Sequence, residues 1–148
     1  MGDRFVANEG NMSVDDLMGR FQGKGTWRDS AGNTGNYDAF LTNRSLDDRF
    51  EISQKHVSDG GTSQTTFALE QVAPFVYRVE VPDQDRGFGF VMNDLVRFYF
   101  DNHLGSITEI GYQAKAPGVL VAYGFTDRNS AGNYIMWHEE LERVADAT

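Results

Sequence analysis

The sequence contains no cysteine. Disulfide frameworks, thiolate nucleophiles, zinc–thiolate sites and iron–sulfur clusters are therefore excluded. The sequence also has no apolar run close to the roughly 20 residues that a membrane-spanning helix needs, and its first segment is charged where a signal peptide would be apolar. We expect a protein that does not enter the membrane and stays in the cytoplasm, with the removal of an earlier leader left open.

Basic residues are few. Lysine plus arginine number 13 against 22 for aspartate plus glutamate, which gives a formal net charge of −9. A surface of that sign repels nucleic-acid phosphates and anionic lipid headgroups. We therefore expect neither a nucleic acid nor a membrane surface as a partner.

Nucleotide-binding and metal-binding motifs are absent as well. There is no glycine-rich loop that opens a helix, no P-loop and no Gly-x-Ser-x-Gly elbow. The three histidines, His56, His103 and His138, lack the spacing that places two imidazoles on one metal ion. We expect no cofactor and no metal site.

The chain does have enough apolar material for one core. It has 148 residues, of which 40% are hydrophobic and 13% aromatic, more than a disordered chain carries. We expect a flexible arm over residues 1–12 and a single domain over 13–148. The oligomeric state is left open, a homodimer included.

Short alternating segments separated by turn clusters fill most of that domain. They lie at 36–42, 49–56, 64–70, 75–81, 96–100, 106–112 and 119–126. In the clearest case Phe75, Tyr77, Val79 and Val81 share one face of a strand. No helical segment long enough for a parallel crossover separates the segments. The pattern predicts an all-β fold, an antiparallel up-and-down barrel of about eight to ten strands.

One helix is expected before the strands. Ser13 is a good N-cap, Asp15 and Asp16 suit the first turn, and Val14, Leu17 and Phe21 fall on one stripe. The spacing predicts a short helix over 14–21 that ends near Gly23.

The segment Gly25-Thr26-Trp27, after a short helix and before a meander of strands, resembles the first strand of the calycins, the lipocalin and fatty-acid-binding-protein-like barrels. The resemblance implies a bacterial-type intracellular relative. It also implies a basic residue of the last strand packed over Trp27. Arg143 is the better match for that residue and Arg128 the poorer. A core role for Trp27, closing one barrel end, is favoured over a direct role in binding a ligand.

The chain also resembles, more weakly, the nitrobindin-like haem proteins, whose iron ligand is a histidine near the C-terminus. His138 is the residue that matches. The carboxylates of Glu139 and Glu140 beside it argue against this role, because the proximal side of a haem pocket is usually apolar.

The strand over 95–101 has two unlike faces. One carries Val96, Phe98 and Phe100, and the other carries Arg97 and Tyr99. If Arg97 and Tyr99 point inward, they are candidates to bind a ligand carboxylate, as an Arg-x-Tyr pair does in fatty-acid-binding barrels. The apolar triplet favours the opposite orientation, with Arg97 in water. Glu109 is a candidate ion-pair partner of Arg97 in either case.

The late strands supply the other candidates. Tyr123, Trp137 and Glu139 are candidates to line one cavity, with Glu139 as a general acid or base. Alternatively, 136–144 is a helical end in which Glu139 pairs with Arg143; we favour a strand that frays after Leu141.

Two earlier strands add wall residues to any such cavity. Tyr77 belongs to the apolar face of its strand, which in a small barrel is both core and cavity wall. His56 continues the apolar face of Phe50 and Ile52, which places it either at a cavity mouth or at an exposed strand end.

These patterns favour the binding or carriage of a small, largely apolar or aromatic ligand in the barrel interior. The alternative is a cofactor-free isomerase, cyclase or lyase that uses Glu139 with Tyr123 or Arg97. A solid barrel that serves as a scaffold is the third reading, and whether the protein is an enzyme stays open.

Overall fold

A computed structural model describes residues 13–81, 87–92, 95–101, 107–128 and 133–145. The predicted arm at 1–12 and His103 lie outside the described residues, as does the side chain of Arg128. The described residues form one 3-10 turn, Val14–Leu17, and ten strands. The strands are β1 (Gly19–Asp29), β2 (Thr34–Ser45), β3 (Phe50–Ser58), β4 (Gly61–Ala73), β5 (Val76–Glu80), β6 (Gly87–Met92), β7 (Leu95–Asp101), β8 (Ile107–Ala116), β9 (Val119–Arg128) and β10 (Asn133–Val144).

The ten strands form one closed antiparallel barrel in which each strand pairs with its neighbours in the chain. β1 closes the barrel by pairing with β10, so that Phe21 lies opposite Arg143 and Trp27 opposite Trp137. Closure pairs both edges of the sheet that the described strands form. The prediction of an antiparallel up-and-down barrel is confirmed, at the upper end of the expected strand number.

Alternation along each strand puts one set of side chains inside the barrel. Large apolar side chains there are fully buried, among them Phe21, Ile52, Phe67, Leu69, Phe98, Ile110, Tyr112 and Leu141. The turn Val14–Leu17 covers one end, with Val14 and Leu17 buried on the core. Asn43 Nδ2 donates a hydrogen bond to the carbonyl of Leu17 over 2.7 Å and holds this turn in place. We call this end the closed end.

The predicted helix over 14–21 is wrong beyond its first turn. Gly19 has a φ of 110°, a conformation that glycine adopts without strain, and β1 begins there. Phe21 is then a strand residue, paired with Leu41 and Arg143. None of the described helical residues forms a helix long and apolar enough to cross a membrane.

Arg143 does not pack over Trp27. Its guanidinium lies 4.6 Å from the ring centroid of Phe21, and Nη1 donates to the carbonyl of Met18 over 2.6 Å. Trp27 is half-buried and lies at the other end of the barrel. The predicted contact is therefore wrong, because Phe21 and not Trp27 is in register with Arg143.

Two boundaries also differ from the sequence patterns. Phe75 lies in the turn between β4 and β5 with a φ of 65° and is 67% exposed, so it does not join the apolar face of Tyr77, Val79 and Val81. The end of the chain is a strand as far as Val144, which pairs with Arg20. It neither frays after Leu141 nor forms the alternative helical end.

Candidate functional site

An open cavity of about 380 Å³ lies at the barrel end opposite the turn Val14–Leu17. We call it the cup. Its walls are formed by residues of β1, β2, β3, β4 and β10, and its rim includes the turn between β3 and β4. The lining side chains that matter below are Trp27, Tyr37, His56, Ser63 and Trp137.

Glycines on adjacent strands keep the cup open. The indole of Trp27 lies across Gly35 of β2, and the indole of Trp137 lies across Gly124 of β9, so closely that a Cβ at either glycine would overlap the ring. The absence of a side chain lets each ring lie along the barrel wall. The two indoles therefore line the lumen instead of filling it.

Gly25 makes room for the ring of Tyr37 in the same way. In the register of the sheet Gly25 lies between Tyr37 on β2 and Glu139 on β10. A Cβ at position 25 would overlap the Tyr37 ring. The phenol therefore crosses β1 over the glycine, and its hydroxyl donates to Glu139 Oε2 over 2.7 Å.

Glu139 is one of two buried polar or charged residues in the described part of the chain, the other being Asn43. It is 4% exposed and lies behind Tyr37 and His56, which line the cup. His56 Nε2 lies 2.8 Å from the same Oε2 atom. The carboxylate oxygen is off the direction of the ring N–H, so the contact is close but is not an aligned hydrogen bond.

The two contacts of Glu139 Oε2 decide how the protons of Tyr37 and His56 are assigned. Because the Tyr37 hydroxyl donates to Oε2, this oxygen is an acceptor. An unprotonated Nε2 at 2.8 Å would repel an ionised carboxylate, so with Glu139 ionised we assign the proton of the imidazole to Nε2. Burial, followed by the negative charge and the hydrogen bond of Glu139, raises the pKa of Tyr37 well above its usual range. Tyr37 is therefore a phenol and a donor at neutral pH.

Polar groups continue into the core beneath the pair. The Tyr112 hydroxyl donates to Gln54 Oε1 over 3.1 Å, and Tyr112 is fully buried. Burial and, next, the charge of Glu139 raise the pKa of Tyr112. The rings of Tyr37 and His56 lie 4.5 Å apart between centroids, which fixes the orientation of the imidazole beside Glu139.

The structure brings three of the sequence candidates together: Trp137, Glu139 and His56. His56 lies at a cavity mouth and not at an exposed strand end. Tyr77 is buried elsewhere, against Phe50 at a centroid distance of 6.2 Å and near Asp15 of the closed end. It is a core residue far along the barrel from the cup.

Arg97, Tyr99 and Tyr123 lie on the outer surface. On β7 the apolar triplet points inward, with Val96 and Phe98 at 0% and Phe100 at 6% exposure. Arg97 therefore faces outward and pairs with Glu109, its Nε lying 2.6 Å from Oε2. Tyr123 covers Gly111 on the same outer face. The inward orientation of Arg97 and Tyr99 is wrong, as is a shared cavity for Tyr123 and Glu139, because the apolar triplet and Leu120 and Ala122 take the inner positions.

His138 also lies outside. It alternates with the inward Trp137 and Glu139 and is exposed, so it does not face the barrel interior as a haem ligand there would. Among the described residues no group of three or more His, Asp or Glu side chains is arranged to hold a metal ion. A larger concavity of about 630 Å³ lies over the rim near Thr26 and Arg28, but it has no buried charged group in its lining.

Tyr37, Trp27 and Tyr112 are residues of this site that the sequence patterns do not predict for it. Tyr37 does carry a local signal, since Tyr37, Ala39, Leu41 and Asn43 alternate on β2 and all four are buried. The contact of Tyr37 with Glu139 depends on the closure of β1 onto β10, which links residues 102 positions apart. No local pattern records that pairing.

Comparisons with known proteins identify the fold. No family model and no curated protein matches the sequence. The S-type phycobiliprotein lyase CPES from Guillardia theta matches the structure with a TM-score of 0.76 at 11% identity, over 98% of this chain and 100% of that one. Rv2717c from M. tuberculosis matches with a TM-score of 0.67 at 13% identity, over 89% of this chain and 95% of that one.

A protein of unknown function from the DUF3598 family of Nostoc punctiforme matches with a TM-score of 0.74 at 11% identity. The match covers 95% of this chain and 52% of that protein, so this chain spans about half its length. At such identities the likeness shows a shared barrel fold and nothing about activity.

Proposed function

We propose that the protein binds a small, largely apolar or aromatic ligand in the cup. The observation that carries this proposal is the arrangement of Trp27, Tyr37 and Trp137 flat against the wall over glycines. It leaves about 380 Å³ of open space lined by these aromatic rings on one side and by small residues of the β3–β4 turn on the other, within the range of about 300 to 1,000 Å³ typical of small-molecule pockets.

The polar groups behind the wall fit such a site. Ligand pockets combine apolar walls with a few placed polar groups that set orientation. Here His56 offers an imidazole to the cup, and Glu139 with Tyr37 holds that ring in one orientation. A filled scaffold barrel does not need a buried carboxylate beside an open cavity, since burying such a charge is costly.

We also propose that the chain is a member of the calycin superfamily. The closed ten-strand meander entered through a short turn supports this placement. One of the structural neighbours is named a phycobiliprotein lyase, which supports a barrel that handles small molecules, as an analogy of fold alone.

Both tryptophans of the chain line the cup, so their fluorescence reports its occupancy. Titration with N-phenyl-1-naphthylamine, an uncharged probe that fluoresces in apolar surroundings, should show saturable one-to-one binding and a matching change in tryptophan emission. Ser63→Phe places a ring in the cup and should abolish binding. Gln64→Phe changes the next residue, which bonds to Ser53 on the outer face, and should leave binding intact.

Binding that Ser63→Phe and Gln64→Phe affect equally would contradict a site in the cup. Native mass spectrometry of the protein as purified is a second readout. A retained small molecule that is absent from the Ser63→Phe variant would support the proposal independently of any chosen probe.

A second candidate function is a cofactor-free isomerase, cyclase or lyase. The contacts of Glu139 with His56 and Tyr37 favour it, because paired acid and base groups at a cavity are the equipment of proton transfer. Arg97 and Tyr123 have no part in it from the outer face. An enzyme of this kind would lose turnover in Glu139→Gln while ligand binding is retained.

A further inference from the structure

One ring nitrogen of His56 contacts another residue of the protein, and the other is available to a ligand. Nε2 is buried 2.8 Å from Glu139 Oε2, and the proton of the neutral ring is assigned to it. Among the described residues no further hydrogen bond to the imidazole is found, and the ring remains 22% exposed where it lines the cup. Nδ1 is therefore the nitrogen available to a ligand, and in the neutral ring it is an acceptor.

A carboxylate and a phenol lie beside the imidazole of His56. Among the described residues, the titratable groups that face it are Glu139 from β10 and Tyr37 from β2. The carboxylate lies in contact with Nε2, so it compensates a positive charge on the ring. Tyr37 donates to the carboxylate and holds it in that position. In this arrangement a carboxylate orients a histidine base, as in enzyme sites where a third group positions the base.

We propose that His56 is the proton acceptor of the cup and that the cup takes ligands with an acidic O–H group, of the phenol or enol class. The ligand's O–H bond breaks, an N–H bond forms at Nδ1, and the electron pair stays on the ligand oxygen. The product is a ligand anion beside an imidazolium that Glu139 neutralises. Glu139 and Tyr37 are positioning residues in this step. The inference rests on the proposed function, since it requires a ligand in the cup.

The aromatic walls suit this ligand class. Planar rings stack or meet edge to face with Trp27 and Trp137, whose indoles lie along the wall. A hydroxyl on such a ring would reach His56, which lies 6.4 Å from Trp137 between ring centroids. A ligand without a hydroxyl would make only the apolar contacts with these walls.

The test compares 4-nitrophenol with 4-nitroanisole, its methyl ether, which has no proton to give. Calorimetry should show 4-nitrophenol binding about tenfold or more tightly, as expected for one hydrogen bond that gains charge. The visible band of the phenolate should appear on binding at a pH below the pKa of free 4-nitrophenol. We expect the apparent pKa of the bound probe to fall by about 1 to 3 units, the shift that an adjacent opposite charge produces.

Variants assign the proton to His56. His56→Gln should abolish the shift, and Glu139→Gln, which keeps a hydrogen-bond acceptor for Tyr37, should reduce it by about one unit, a tenfold loss of phenolate. His138→Gln and Glu140→Gln are matched controls on the outer face and should behave as the parent protein. The titration of the unmodified protein needs no variant and stands even if a variant fails to fold.

Each outcome decides between the two proposals. Equal binding of both probes, or 4-nitrophenol bound as the phenol, would overturn the proton acceptor while leaving the cup as a binding site. Binding of N-phenyl-1-naphthylamine without binding of 4-nitrophenol would have the same meaning. Failure of all three probes to bind would overturn the proposed function itself, and this inference with it.

Discussion

The hydroxyl of Tyr37 donates to Oε2 of Glu139 over 2.7 Å, although the two residues are 102 positions apart in the chain. The bond crosses β1 above Gly25, the residue that pairs with both of them. A glycine, a phenol and a carboxylate on three adjacent strands therefore act as one unit at the floor of the cup. Its disruption should affect both stability and the orientation of His56.

Gly25→Ala tests the role of the glycine. The new methyl group would overlap the Tyr37 ring, and overpacking of this kind costs about 1 to 3 kcal/mol. Denaturant unfolding should show that loss. Gly60→Ala is the control, since a Cβ there has 3.8 Å to its nearest neighbour, and it should change stability by no more than about 0.5 kcal/mol. Equal stability of Gly25→Ala and the parent would mean that the phenol does not cross β1 as described.

Tyr37→Phe removes the hydroxyl and leaves a buried carboxylate without that donor. Loss of a hydrogen bond to a charged group should cost about 1.5 to 3 kcal/mol in unfolding free energy. Combined with Glu139→Gln, the two changes should cost less than their sum, because each removes the same interaction. Tyr134→Phe alters an exposed tyrosine and is the control. Strict additivity would contradict the contact.

Alkaline pH should destabilise the protein. The pKa values of Tyr37 and Tyr112 are raised in the folded state, each chiefly by burial. The stability that these phenols contribute is fully present below the ordinary tyrosine pKa of about 10 and falls as pH rises above it, because the unfolded chain releases its protons first. Melting temperatures between neutral and high pH should follow this curve. Tyr112→Phe should flatten it, and a curve of the same shape in Tyr112→Phe and the parent would contradict the role of this phenol.

The two ends of the barrel should respond differently to truncation. Phe21 is fully buried at the closed end, and Phe21→Ala should cost about 3 to 5 kcal/mol. Trp27 is half-buried in the wall of the cup, so Trp27→Ala should cost less while it abolishes binding of the naphthyl probe. A Trp27→Ala variant with the larger loss of stability and unchanged binding would make Trp27 the core residue expected from the sequence.

The strands of the barrel can be predicted because alternation of apolar and polar residues involves only neighbours in the sequence. The inward Val96, Phe98 and Phe100 can be recognised from the sequence, and the ion pair of Arg97 with Glu109 is expected in either orientation of that strand. The helical spacing of apolar residues over 14–21 leads to the wrong prediction of a helix, because a single 3-10 turn buries Val14 and Leu17 as completely as a helix would. The positive φ at Gly19, which starts β1, has no signature beyond the glycine itself.

The sequence predicts only those features of the site that depend on residues close together in the chain. Trp137 and Glu139 share a strand face, so their common orientation follows from alternation. The partners of Glu139 come from β2 and β3, and their positions follow from barrel closure and from the space above Gly25. Such contacts depend on the register of four strands, which single-sequence patterns do not fix.

A nuclear magnetic resonance titration tests the cup most directly, because the chain has two tryptophans and both indoles line it. With a ¹⁵N-labelled protein and 4-nitrophenol, both indole N–H signals should shift along one saturation curve. The backbone signals of Leu17 and Phe21 at the closed end should stay in place. Unmoved indole signals at saturating ligand, or shifts centred on Tyr99 and Tyr123 of the outer face, would contradict a binding site inside this barrel end.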